Sequence, residues 1–158
     1  MAYAHVAHDC IIGDNVILAN SVNLAGHVEI EQHVILEGMA AVQQFVRIGE
    51  HAFITGASLV RKNVPPYVKA AREPLAFAGI NAVGLRRRKF SDEVIRNIED
   101  TYRILYVREN NVSRAVGMIQ REIPASPERD KIIDFIINSP KGIMKGYGQA
   151  ETEEEQVG

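Results

Sequence analysis

The chain has 158 residues, 46% hydrophobic and 24% charged, with a net charge of −2, which suits one globular domain or one small domain with an appendage. Cys10 is the single cysteine, which excludes a disulfide scaffold and fits a reducing, cytoplasmic setting. No apolar run approaches the ~20 residues of a membrane span, no basic-then-apolar secretory signal is present, and a nucleic-acid partner is not expected at this charge balance. With no Trp and 6% aromatics, the core must be filled by something other than large rings.

From the N-terminus the apolar residues recur every six positions. One track runs Val6, Ile12, Leu18, Leu24, Ile30, Leu36, Val42, Ile48, Ile54 and Val60, all branched aliphatics. A second, two residues earlier, runs Ala4, Cys10, Val16, Val22, Val28, Val34, Ala40, Val46, Ala52, Ser58 and Val64, small or medium and polar only at Ser58. A six-residue period describes a left-handed parallel β-helix, in which three hexapeptides complete a triangular coil of eighteen residues. The aliphatics point inward and stack on their equivalents ~4.8 Å above and below. Gly13, Gly26, Gly38, Gly49 and Gly56 fall near the corners, where a residue without Cβ is expected to ease the turn. About three and a half coils fit between Ala4 and Val64.

The rhythm ends at Asn63-Val64-Pro65-Pro66-Tyr67, where two prolines remove backbone donors. Residues 1–66 are therefore the β-helix, and 67–80 are expected to be an irregular crossing segment. An α-helical domain follows over 81–147. Ser91 reads as an N-cap before Asp92 and Glu93, with Val94, Ile95, Ile98, Tyr102, Leu105 and Tyr106 at helical spacing. A second helix is predicted from Val112 to Ile123, and a third from Ser126-Pro127 to about Asn138. Residues 148–158, rich in glutamate, read as a disordered acidic tail.

Residues eighteen apart stack, so His8, Gly26 and Gln44 form one column and Asp9, His27 and Phe45 the next, within ~10 Å along the axis. The segments Ala4-His5-Val6-Ala7-His8-Asp9-Cys10, Leu24-Ala25-Gly26-His27-Val28, Val42-Gln43-Gln44-Phe45, Val64-Pro65-Pro66-Tyr67-Val68 and Gly84-Leu85-Arg86-Arg87-Arg88 resemble the acyl-[acyl-carrier-protein]–UDP-N-acetylglucosamine O-acyltransferases of lipid A biosynthesis. The resemblance covers residues 1 to about 147.

It implies transfer of a 3-hydroxyacyl chain from acyl carrier protein to the 3-hydroxyl of UDP-N-acetylglucosamine, with no cofactor. It implies His8 as general base, Gly26 N–H as the oxyanion donor and Asp9 as the group orienting His8. It further implies that His5 and His27 line the sugar and acyl pocket, and that Gln44, Asn81 and Arg87 hold the uridine diphosphate. Gly56 would leave the acyl groove deep enough for a long chain of around fourteen carbons. Arg86-Arg87-Arg88-Lys89, with Arg61, Lys62, Lys69 and Arg72, would attract the acidic carrier protein. A homotrimer with sites between neighbours is also implied, His8 and Arg87 then coming from different chains.

His33 and His51 carry no motif and are expected to face solvent. The acidic co-ligands of a carbonic-anhydrase-type zinc site are not apparent around His5, His8 and His27, so no metal is expected. Gln43 stands where the family often has histidine, and Val83 where it often has glutamate, which bears on nucleotide affinity. The family's coils begin well before the catalytic histidine, so the chain reads as an N-terminally truncated, C-terminal portion. Open strand edges are then expected over residues 2–19, and little activity from the chain alone. Three other readings are the related UDP-acylglucosamine N-acyltransferase, a coenzyme-A-dependent acetyltransferase on the same scaffold, and an inactive trimerising fragment.

Overall fold

The computed structural model describes residues 1–147; the expected acidic tail at 148–158 lies outside them. Two-residue strands recur every six residues and pair, all parallel, with the strand eighteen residues on. The first sheet stacks β1 (His5–Val6), β4 (Asn23–Leu24), β7 (Ala41–Val42) and β10 (Leu59–Val60). The second stacks β2 (Ile11–Ile12), β5 (Glu29–Ile30) and β8 (Arg47–Ile48), and the third β3 (Ile17–Leu18), β6 (Ile35–Leu36) and β9 (Phe53–Ile54). His5 lies opposite Asn23, Ile11 opposite Glu29 and Ile17 opposite Ile35, the register the hexad arithmetic predicts. The three sheets are the walls of a left-handed parallel β-helix. Its axis is filled by both aliphatic tracks, with Leu24, Val28, Ile30, Val34, Leu36, Ile48 and Ile54 all buried. In the first coil Val6 and Ile12 remain 45% and 39% exposed.

The corners depart from expectation. Every sixth residue from Tyr3 to Ala57 is left-handed, with φ between 56° and 68°, and none is glycine. Asp9, Asn15 and Ser21 ease the strain with short polar side chains, but His27, His33, Phe45 and His51 adopt it as well. The glycines serve close approach instead. A Cβ on Gly13 would stand 2.7 Å from Gln32 N, and one on Gly49 would stand 2.5 Å from Pro66 N.

The exit also differs. Residues 67–80 are not an irregular crossing but a hairpin of β11 (Val68–Ala71) and β12 (Ala76–Ile80). β11 continues the third sheet on β9, with Ala70 opposite Ile54, and Val64 bridges to Ile48. Val60 still lies eighteen residues on from its partner Val42, but Val64 lies only sixteen on from Ile48, so the last coil loses two residues between Val60 and Val64, ahead of the prolines, without ending. Pro66 and Tyr67 rebuild a corner, Tyr67 at φ 70°.

The helices follow the sequence closely. Asn81 caps α1 (Ala82–Arg87), Ser91 caps α2 (Asp92–Arg103), Asn111 caps α3 (Val112–Glu122), and Ser126 caps α4 (Pro127–Ile137) with proline at its start. Unexpected is a π-helical stretch at Ile104–Arg108 that extends α2. It keeps Tyr106 stacked on Phe77 at 4.4 Å, while the Tyr106 hydroxyl donates to Met144 O at 2.7 Å. The buried Tyr102 hydroxyl donates to Pro66 O. Phe77, Tyr102 and Tyr106 thus gather where helices meet prism. The chain then returns to the β-helix, with Ile143 bridging to Asn63 and Arg47 stacked over Phe135.

His51 corrects a second expectation, being buried rather than solvent-facing. It stacks between His33 at 4.8 Å and Tyr67 at 5.9 Å, and its Nδ1 accepts from Arg88 at 3.2 Å. His33 is itself half-covered by that stack. Burial, reinforced by the Arg88 charge, lowers the His51 pKa from 6.5 to about 4.

Two outcomes follow. Gly49→Ala should destabilise the fold by about 1–3 kcal/mol, read as a fall in melting temperature, because its Cβ meets backbone that cannot yield. Below pH 6.5 the unfolded state gains a proton on residue 51 that the folded state refuses until about pH 4. Stability should therefore fall by up to about 3 kcal/mol as pH drops through that window. His51→Phe should remove this component when denaturation midpoints of the two proteins are compared from pH 8 to 4.

Candidate active site

At the first corner the hexad geometry turns consecutive residues outward. His8 and Asp9 leave β1 together, and Gly26 and His27 occupy the corner one coil on, joined by the bond from His27 N to His8 O at 3.0 Å. Gln44 and Phe45 follow, with Phe45 N donating to Gly26 O at 3.2 Å. The predicted columns are present.

The side chains lock into one another. His8 Nδ1 donates to Asp9 Oδ2 at 2.9 Å, leaving Nε2 as the ring's open lone pair. The ring lies against Gly26: a Cβ there would fall 2.8 Å from both Cε1 and Nε2. His27 stands edge-on to His8 at 5.1 Å and stacks face-on with Phe45 at 5.0 Å. The His8 hydrogen bond, with the His27 charge, holds the Asp9 carboxyl below the usual carboxylate range. The His8 and Asp9 side chains are 68% and 67% exposed, so a reactant can reach them. Among the described residues, no protein acceptor takes the Gly26 N–H.

Gln44 is exposed and lines a groove of about 560 Å³ along with Phe45, Arg61, Lys62 and Lys141. The sequence assigned Arg61 and Lys62 to an anionic partner but gave no sign of Lys141, which only the returning C-terminal segment brings to this wall. His5 opens β1, exposed, and lies outside the His8–Asp9–His27 cluster.

The remaining candidates stand elsewhere on the prism. Gly56 lies at the corner between the third and first sheets, and its N–H donates to Glu37 Oε1 at 3.3 Å. Asn81 and Arg87 line a second cavity of about 400 Å³ against Phe53 and Lys69 of the third sheet. The Asn81 amide is engaged at both ends, donating to His51 O at 2.9 Å and accepting from Gly84 N at 3.2 Å. Arg87 projects into solvent, while Arg88 turns inward to His51. The basic run 86–89 is thus not one solvated face, because Arg88 is spent inside the fold. One chain does not bring His8 and Arg87 to one site: they sit on different sides of the triangular section.

Hexapeptide coils closing a left-handed parallel β-helix, with an imidazole–carboxylate pair packed on a glycine at an open corner, place the chain among the hexapeptide-repeat proteins. Residues 63–144, just over half of the chain, match the profile described as UDP N-acetylglucosamine O-acyltransferase, domain 2. The chain belongs to the UDP-N-acetylglucosamine O-acyltransferase family. It is 39% identical over 145 residues to the acyl-[acyl-carrier-protein]–UDP-N-acetylglucosamine O-acyltransferase of Thiobacillus denitrificans, covering 92% of this chain and 56% of that protein. It is 40% identical over 149 residues to the enzyme of that name from Burkholderia mallei, covering 92% and 57%. Among solved structures, the UDP-N-acetylglucosamine acyltransferase of Bacteroides fragilis superposes with a TM-score of 0.88 at 45% identity, covering 90% of this chain and 56% of that one. That of Francisella novicida gives 0.89 at 37% identity, covering 96% and 55%. The chain therefore spans just over half the length of the relatives it matches.

Gly26→Ala tests the corner's packing. Its φ suits any residue and the obstacle is the movable His8 ring, so the melting temperature should change by only a few degrees. The ring should be pushed off Asp9, and the Nδ1–H signature of His8 in side-chain ¹⁵N correlation spectra should be lost.

Proposed function

We propose that this chain carries the acyl-transfer corner of an acyl-[acyl-carrier-protein]–UDP-N-acetylglucosamine O-acyltransferase, moving a long 3-hydroxyacyl chain to the sugar 3-hydroxyl. The observation that carries the reading is the His8–Asp9 pair seated on Gly26, its Nε2 open. His8 Nε2 takes the hydroxyl proton as the oxygen attacks the thioester carbonyl carbon, and a C–O bond forms. The Gly26 N–H holds the oxyanion of the tetrahedral intermediate. Collapse breaks the C–S bond, and the imidazolium returns its proton to the phosphopantetheine sulfur. Asp9 stabilises the imidazolium between the two transfers. A thioester is already activated, so the reaction as proposed needs no covalent enzyme intermediate and no cofactor.

Binding draws on the first corner and on both cavities, Gln44 lining one and Asn81 and Arg87 the other. His5 and His27 border the sugar and acyl chain, Gln44 and the exposed Arg87 hold the uridine diphosphate, and Asn81 fixes the start of α1 beneath Arg87. Gly56 carries no side chain that would limit the depth reached by the acyl group, which suits a long one. Arg61, Lys62 and Lys141 favour the acidic carrier protein. His8 and Arg87 lie on different sides of the prism, so a homotrimer completes the site between neighbours. No helix among the described residues is long and apolar enough to cross a membrane, and a cytoplasmic location is proposed.

The test is a chimera in which this chain replaces the matching segment of the Thiobacillus denitrificans relative. It should sediment as a trimer and acylate UDP-N-acetylglucosamine from 3-hydroxymyristoyl carrier protein, with His8→Ala lowering kcat by about 10²–10⁴. Transfer only from acetyl-CoA, or only to a free 2-amino sugar, overturns the reading.

A further inference from the structure

Three metal-binding donors meet at the first corner. Asp9 Oδ2 lies 2.9 Å from His8 Nδ1 and 3.8 Å from His27 Nε2. One donor atom from each residue lies within 4.8 Å of the other two. A zinc-class ion binds imidazole nitrogen at about 2.0–2.1 Å and carboxylate oxygen at about 2.0–2.2 Å, spacing tetrahedral donors about 3.4 Å apart. The two Asp9 gaps fall on either side of that value. The donors are also held in place. His27 stacks on Phe45, His8 rests on Gly26, and the backbones of Asp9 and His27 are fixed in the left-handed region at φ 60° and 59°. The cluster opens to solvent, leaving a fourth position for water.

We infer that His8, Asp9 and His27 form a binding site for a zinc-class divalent transition ion, and that its occupation switches the acyl-transfer corner off. Two imidazoles and one carboxylate suit Zn²⁺, Ni²⁺ or Cu²⁺ and not Mg²⁺ or Ca²⁺, which take oxygen. The ion enters where His8 and Asp9 now share a proton. With the ion on Nδ1, the neutral ring carries its proton on Nε2, and the lone pair that would accept the sugar hydroxyl proton is gone. The ion here is an inhibitor, not a cofactor. The binding half stands on the donors alone; the switching half rests on the reading of His8 as general base.

Binding is measured on the tag-free chain by calorimetry with Zn²⁺ and by visible absorption with Co²⁺. One ion per chain is expected at about micromolar Kd. Asp9→Asn and His27→Asn should each weaken it at least about tenfold, and asparagine tolerates both left-handed backbones, so the fold is kept. Cys10→Ala and His33→Asn should leave the affinity unchanged. No one-per-chain binding up to about 1 mM, an affinity indifferent to Asp9→Asn and His27→Asn, or its loss in Cys10→Ala overturns the site. In the chimera, Zn²⁺ should abolish turnover and a chelator restore it. Binding without inhibition overturns the switching half, whereas a chimera that never turns over counts against the acyltransferase reading while the direct titration still decides the site.

Discussion

Everything chemical about this chain hangs on its left-handed corners. Each places one residue in a conformation that L side chains resist, and the fold repeats it every sixth residue from Tyr3 to Ala57. Continuous stacking over-determines the corners: each is bonded to its neighbours one coil above or below, as His27 N is to His8 O and Phe45 N to Gly26 O. In return, pairs of side chains project outward in vertical columns. His8 and Asp9 become neighbours of His27, which lies eighteen residues beyond Asp9 in sequence. The site is a by-product of the repeat, placed without any loop.

This is why so much of the site is legible in the sequence. A period of eighteen converts sequence distance into spatial adjacency by arithmetic, so the columns His8–Gly26–Gln44 and Asp9–His27–Phe45 needed only counting. Two helix starts are equally plain, because Ser91 and Ser126 cap by local rules. What stayed hidden depended on long-range closure. Nothing in the sequence shows Lys141 reaching the wall beside Gln44. His51 looked like any unassigned histidine, because its burial comes from Tyr67, Phe90 and Arg88, all contributed after the repeat ends. The hairpin of β11 and β12 leaves little mark in the sequence, because two prolines precede it and its residues are short and mixed in character. Gly13, Gly26 and Gly49 stand near corners for a steric reason that only the packed neighbours reveal.

The two halves of the molecule divide labour in kind. The prism carries an imidazole–carboxylate pair at an exposed corner, while the helical layer and the segment after it contribute the basic side chains of Arg87 and Lys141, at positions local helix rules do not mark. The aromatic joint between the halves fixes that relation. Tyr102 and Tyr106 spend their hydroxyls on Pro66 O and Met144 O, so both sides of the junction are tied by buried polar contacts as well as by ring stacking. Arg88 adds a third tie through His51 and withdraws one positive charge from the surface.

The sixteen-residue final coil has a consequence of its own. A strand's side chains alternate between its two faces, so a change in spacing matters first by whether it is odd or even. Losing two residues preserves the parity: Val64 still faces inward beneath Ile48, and Ala70 beneath Ile54, all four buried. Losing one would have sent Lys69 into the prism's axis and Ala70 out of it. Length changes at this exit are thus tolerable only in steps of two. Because the shortened coil still lays β11 on β9, a loss of this size is absorbed at the corner and leaves the third wall, from which the helical layer departs, in line with the coils before it.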